Sequence, residues 1–160
     1  NLIKKYNPKR ILEIGFACGI SASFILLALS KDSKLISIDP FQKFQWKNFG
    51  NIVVKKIIEE NNLPKTIHKW MPLYSYKFFM KEKRKYDFCF IDGDHSYEGT
   101  LIDLKGCHKL LKINGLLVID DVLHKEVKRS LKDFMKEEGN NYSKINFQVK
   151  TMNAYLKLNN

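Results

Sequence analysis

Short, wholly apolar runs alternate with longer stretches of helical periodicity along almost the entire chain, and this alternation restricts the fold more than any other property. Such runs, buried on both faces, belong to a parallel sheet covered by helices on either side. Arg10 to Gly15, Lys34 to Ile38, Tyr86 to Ile91 and Leu116 to Ile119 read as strands, with a weaker one at Thr66 to Lys69. Between them, helices are predicted over Ser21–Ser30, Asn51–Asn61, Ser75–Lys83, Tyr97–Leu111 and Lys125–Glu138, the last with a charged amphipathic pattern. Ile145 to Lys150 and Ala154 to Leu158 read as two more strands, so closely spaced that they form an antiparallel hairpin at a sheet edge. The expected class is therefore α/β: a Rossmann-like, doubly wound, mostly parallel seven-stranded sheet ending in an antiparallel hairpin.

The 160 residues, 44% of them hydrophobic, suffice for one domain with one core, so a single domain over residues 1–160 is expected. The sequence opens on Asn1, and strand-like sequence begins almost at once near Arg10, which makes an upstream lid or dimerisation segment an expectation. The longest apolar run, around Phe24 to Leu29, is far below membrane-spanning length, and no signal sequence is legible. Cys18, Cys89 and Cys107 are odd in number and lack CxxC spacing, which suits a reducing, cytoplasmic setting. The net charge of +11 could draw nucleic acid or a membrane surface, but the lysines are scattered along the chain. The densest group, Lys81 to Lys85, stands where a helix ends and cations suit the helix dipole.

In an open α/β sheet, ligands gather beyond the carboxyl ends of the strands. After the first strand comes Glu13-Ile14-Gly15-Phe16-Ala17-Cys18-Gly19, a turn whose glycines let backbone approach a ligand. As a dinucleotide fingerprint it fails at Ala17 and Ile20, which disfavours NAD. As the E/DxGxGxG pattern of class I methyltransferases it departs only at Ala17; an ordinary glycine-containing strand-to-helix turn is the other reading. Asp39 closes the second strand a little over twenty residues beyond Gly15, where an acid can accept hydrogen bonds from two ribose hydroxyls, or can simply begin a turn with Pro40.

FIDGDHSYEG at Phe90–Gly99, followed by NGLLVIDDV at Asn114–Val122, resembles the small-molecule O-methyltransferase-like families of class I, including the macrocin and cephalosporin type, with catechol O-methyltransferase more distant. The resemblance covers about Arg10 to Val127 and implies S-adenosylmethionine as cofactor, with a methyl group passed to a hydroxyl of a small-molecule acceptor. It implies that Glu13 and the backbone from Gly15 through Phe16 and Ala17 to Gly19 hold the methionine part, and that Asp39 holds the ribose. Trp70 and Met71, after the third strand, would flank the adenine, although Trp70 also reads as an ordinary aromatic.

Relatives that use a divalent cation hold it with an acid after the fourth strand and an acidic pair after the fifth, positions taken here by Asp92, Asp120 and Asp121. An all-oxygen set suits magnesium, calcium or manganese. The last of these is an amide in catechol O-methyltransferase, and in the other reading Asp94 starts a helix and Asp120-Asp121 only terminates a strand. Asp92 and His95 are the catalytic candidates, with His124 nearby, while His68 and His108 read as structural. A degenerate cofactor-binding module without activity of its own, and a nucleic-acid methyltransferase, are the alternative functions. Homo-oligomer formation is compatible with all three.

Overall fold

The computed structural model describes residues 2–146 and 149–160. A seven-stranded sheet in the order β3-β2-β1-β4-β5-β7-β6 runs through it. Its strands are β1 (Arg10–Ile14), β2 (Lys34–Ile38), β3 (His68–Met71), β4 (Tyr86–Ile91), β5 (Leu111–Ile119), β6 (Tyr142–Ile145) and β7 (Asn153–Lys157). The first five run parallel to one another, and β7 is antiparallel to both β5 and β6. This is the mostly parallel, doubly wound sheet that the sequence pattern implies. The order reverses between β1 and β4, so the ends of these strands flank the switch point.

Side-chain alternation along the strands creates two cores. Leu12, Ile14, Cys89, Ile91, Leu117 and Ile119 face one way, against helices α4 (Ser75–Lys81), α5 (Tyr97–Leu110) and α6 (Lys125–Glu138). Ile11, Leu35, Phe88, Phe90, Leu116 and Val118 face the other way, against α1 (Leu2–Tyr6), α2 (Ile20–Ala28) and α3 (Phe49–Glu60). One helix start is fixed by a side-chain cap. The Ser96 hydroxyl accepts from the Gly99 N–H at 3.1 Å to start α5, with Glu98 in its first turn. In α6, Val127, Leu131 and Phe134 are buried in a stripe at helical spacing. No helix among the described residues is long and apolar enough to cross a membrane.

Helix α1 has no counterpart in the sequence expectation, and three further elements depart from it. The third strand runs from His68 to Met71 rather than from Thr66 to Lys69, because it pairs with Leu35–Ile38 in that register. The penultimate strand is Tyr142–Ile145, not Ile145–Lys150; it pairs Tyr142 with Lys157 and Ile145 with Ala154, and places the Tyr142 ring 5.9 Å from Phe134. Phe147 and Gln148 of the expected strand lie outside the described residues. Finally, the fifth strand begins at Leu111 rather than Leu116. Chain direction changes at Leu110–Leu111, and Asn114, at φ 63°, sits in a register shift within a nine-residue β5.

Candidate active site

Two cavities open over the carboxyl edge of the sheet, and both are built from the turn after β1. Gly15 has φ 90°, and a Cβ on it would collide with the Asp92 carbonyl oxygen, so only glycine lets β1 and β4 end side by side here. Gly19, at φ 75°, precedes α2 and packs against the Gly50 backbone of α3. Asp39 locks the turn: its carboxylate accepts from the N–H groups of Phe16 at 3.2 Å, Ala17 at 2.7 Å and Phe41 at 2.6 Å. Trp70 holds Asp39 from behind, donating from Nε1 to the Asp39 carbonyl at 2.9 Å.

The first cavity, about 450 Å³, lies on the β2–β1–β4 side. Gly15, Ala17, Asp39 and Asp92 line it, with Phe41 and Tyr74 supplying aromatic walls. The second, about 410 Å³, shares Gly15, Ala17 and Asp92 with the first and continues over Phe16, Ile20, Phe24 and Met152 to Asp120. The shared residues make one wall between two chambers.

Glu13, Trp70 and Met71 line neither cavity. Glu13 is wholly buried, and its carboxylate is taken by the hydroxyls of Ser21 and Ser37. Burial pushes it up to about 7 against the opposing pull of those two hydrogen bonds. It ties β1 to β2 and α2 beneath the turn. Trp70 and Met71 end β3 rather than follow it, and the residues that reach the cavity are Leu73 and Tyr74 of the next loop and Ser75 at the start of α4. A strand boundary two residues further along the chain accounts for the difference.

The acids at the strand ends converge only in part. Asp92, His95 and Asp121 each bring one ligand-capable atom within 4.8 Å of the others. Asp120 is turned aside, its Oδ1 accepting from the Asp121 N–H at 2.7 Å, and Asp121 is held at φ 51°. His95 Nε2 stands 3.1 Å from Asp121 Oδ2 and 3.5 Å from Asp92 Oδ1. The same nitrogen is buried without a well-formed hydrogen bond, so proximity rather than a directed N–H bond defines the contact. Burial, with the neighbouring Asp120 and Asp121 charges adding to it, raises the Asp92 carboxyl to about 6. His124 places its ring 5.8 Å from that of His95. His68 and His108 stand elsewhere: His68 is lowered to about 4 by burial, and His108 bonds Tyr142.

Sequence reasoning missed Asp103, which reaches the first cavity from α5, and Lys157, whose buried Nζ donates to the carbonyls of His108 and Leu111. A charged residue inside a buried helical stripe is the signal that marks Asp103.

A glycine turn, a strand-end acid and a cavity at the switch point define an α/β domain of the cofactor-binding, Rossmann-like class. Residues 12–122 match the methyltransferase domain family, and the chain belongs to it. It is 30% identical over 122 residues to tapetum-specific methyltransferase 1 of Arabidopsis thaliana, a match that covers 76% of this chain and 50% of that one. Identity is 28% over 126 residues to caffeoyl-CoA O-methyltransferase of Populus kitakamiensis, with the same coverage of both chains. The chain thus spans about half the length of these curated relatives. The O-methyltransferase from Bacillus cereus, solved in complex with SAH, superposes with a TM-score of 0.72 at 20% identity, covering 98% of this chain and 77% of that one.

Proposed function

We propose that the protein transfers a methyl group from S-adenosylmethionine to a hydroxyl of a small molecule, with a divalent cation assisting. The observation that carries this reading is the pair of cavities meeting at Gly15, Ala17 and Asp92. One chamber, with Asp39 on its wall, suits an adenosine. The other, apolar except for its acids, suits an acceptor with a hydrophobic body. Methyl transfer needs an in-line approach of nucleophile and sulfonium, and two chambers with a common wall provide that alignment. When bound, the cofactor supplies an electrophilic methyl group on a positively charged sulfur.

The chain's own residues have three tasks. The bend from Gly15 to Gly19 presents its backbone to the cofactor tail, its shape set by two glycines that let it pack against Asp92 and Gly50. Asp39 keeps acceptor capacity for sugar hydroxyls beyond its three backbone bonds, since a carboxylate offers about four lone-pair sites. Asp92 and Asp121, through carboxylate oxygens not engaged by a cation, accept the proton of the acceptor hydroxyl. Together with His95 they fit a cation: two carboxylate oxygens and an imidazole nitrogen without a hydrogen-bond partner face one point. They would hold it, and it would favour the deprotonated hydroxyl.

The site is acidic in a chain of net charge +11: Asp39, Asp92, Asp94, Asp103, Asp120 and Asp121 all stand at this edge. That sign attracts a sulfonium, an ammonium and a metal, and repels a phosphate backbone, which supports a small acceptor over nucleic acid. Calorimetric titration of the purified protein with S-adenosylhomocysteine tests the cofactor; saturable 1:1 binding is expected, and its absence in folded protein removes the proposal. Methyl transfer to a panel of hydroxylated aromatics, run with and without chelator, tests acceptor and metal separately.

A further inference from the structure

Helix α5 carries an acid inside its buried stripe. Thr100, Asp103, Leu104 and Cys107 form the buried side of the helix, and Asp103 is only 1% exposed. Among the described residues no cation neutralises it: the Ser75 hydroxyl is its hydrogen-bonding partner, Asp94 is its charged neighbour, and burial lifts its carboxyl to about 7. Its Oδ1 has no hydrogen-bond partner among those residues. A buried acceptor left unmet is costly, and such groups persist where a ligand or water completes them. Asp103 does reach a ligand space, because it lines the first cavity together with Leu73, Tyr74 and Ser75.

The position of this acid in the cavity indicates what it meets. The second cavity touches none of Leu73, Tyr74, Ser75 and Asp103; it joins the first only at Gly15, Ala17 and Asp92. Transfer takes place at the shared wall. The part of the first cavity that the second does not share, where Leu73, Tyr74, Ser75 and Asp103 stand, therefore receives the purine rather than the sulfonium. Gly93 packs closely against this acid, since a Cβ there would stand 3.0 Å from Asp103 Oδ2.

We propose that Asp103 is the specificity-determining residue for the base of the cofactor, its free oxygen accepting a hydrogen bond from the exocyclic amine of adenine. This rests on the reading that the cavity takes S-adenosylmethionine. An ionised carboxyl is an acceptor only, so it rewards a 6-amino group and opposes a 6-oxo group at the same place. Replacing Ser75 as sole partner by two donors, one from the protein and one from the ligand, satisfies both oxygens.

The test compares S-adenosylhomocysteine with its deaminated analogue, S-inosylhomocysteine, by calorimetric titration at about pH 8.5, where the Asp103 carboxyl is ionised. The wild-type protein is expected to prefer the amino form by at least about 30-fold, as sites built to hydrogen-bond one substituent do. In Asp103→Asn, an amide that donates as well as accepts meets either substituent, and the preference falls to within about threefold. Asp103→Leu, which offers neither, gives the same collapse and serves if the amide variant fails to fold; thermal melts verify folding of both. A wild-type preference that survives both substitutions, or a wild-type protein that binds the two ligands equally, overturns the assignment while leaving the cofactor reading intact. Failure of wild-type protein to bind S-adenosylhomocysteine at all overturns both.

Discussion

Replacing Glu13 by glutamine is expected to stabilise the protein in a pH-dependent way. The carboxyl is wholly buried between β1, β2 and α2, with two serine hydroxyls and no cation to hold its charge among the described residues. Its folded value, about 7, lies above the ordinary 4.5. Below about pH 4.5 the acid is neutral in both folded and unfolded chains, and its burial carries no ionisation penalty. As pH climbs from there to about 7 the unfolded chain loses this proton while the folded one retains it, so stability drains away; above about 7 the loss is complete and constant. A displacement of this size corresponds to about 3 kcal/mol. The amide of the Glu13→Gln variant is neutral throughout, can accept from one serine and donate to the other, and so escapes the loss. Urea denaturation of both proteins between about pH 4.5 and 8.5 measures it. The difference between them isolates Glu13, because Asp92 and Asp103 are present in each. The variant should gain about 3 kcal/mol relative to wild type across that range, or about 6–12 °C in thermal midpoint for a chain of this size. A difference that does not change with pH would show that the Glu13 carboxyl is not held up by burial. Affinity for S-adenosylhomocysteine should change less than about threefold, since Glu13 lines neither cavity.

Gly15→Ala should cost more than about 4 kcal/mol or abolish folding, because the methyl would collide with the Asp92 carbonyl at a backbone angle that only glycine adopts freely; a wild-type denaturation midpoint would refute the close approach of β1 and β4. Asp39→Ala deprives three backbone N–H groups of their acceptor. It should lose about 2–4 kcal/mol in urea denaturation. Cofactor affinity measured by calorimetry should fall at least about 100-fold, and an unchanged affinity would separate Asp39 from the sugar. Manganese binding, followed by the loss of its free electron-spin signal, should weaken at least about tenfold in both His95→Ala and Asp121→Asn but little in Asp120→Asn. Equal weakening by the Asp120 substitution would restore the all-carboxylate set.

The positions of the site residues were more legible than their contacts. The glycine turn and Asp39 were readable because each stands at a strand end that the apolar pattern marks; Gly15 is set by its own φ of 90°, whereas the Phe16 and Ala17 N–H groups that Asp39 caps come from the distant turn after β1. Asp92 and Asp121 were readable for the same reason. The orientation of Asp120 was not, since Asp120 and Asp121 are adjacent in sequence and only the backbone twist at Asp121 decides which carboxylate points toward His95. The role of Trp70 escaped as well, because the boundary of β3 is fixed by its register against β2 and not by its own composition.

Hydrophobic periodicity sufficed to specify the layers and the central strands, because burial on two faces of a parallel sheet leaves its mark on β1, β2, β4 and β5, whereas β3 and β6 are only partly buried. Strand order, hairpin register, the satisfied state of Glu13 and the unmet oxygen of Asp103 belong to the tertiary structure alone. Each depends on which side chains from distant elements arrive at one buried point, and a buried polar group takes its meaning from the partners it finds there.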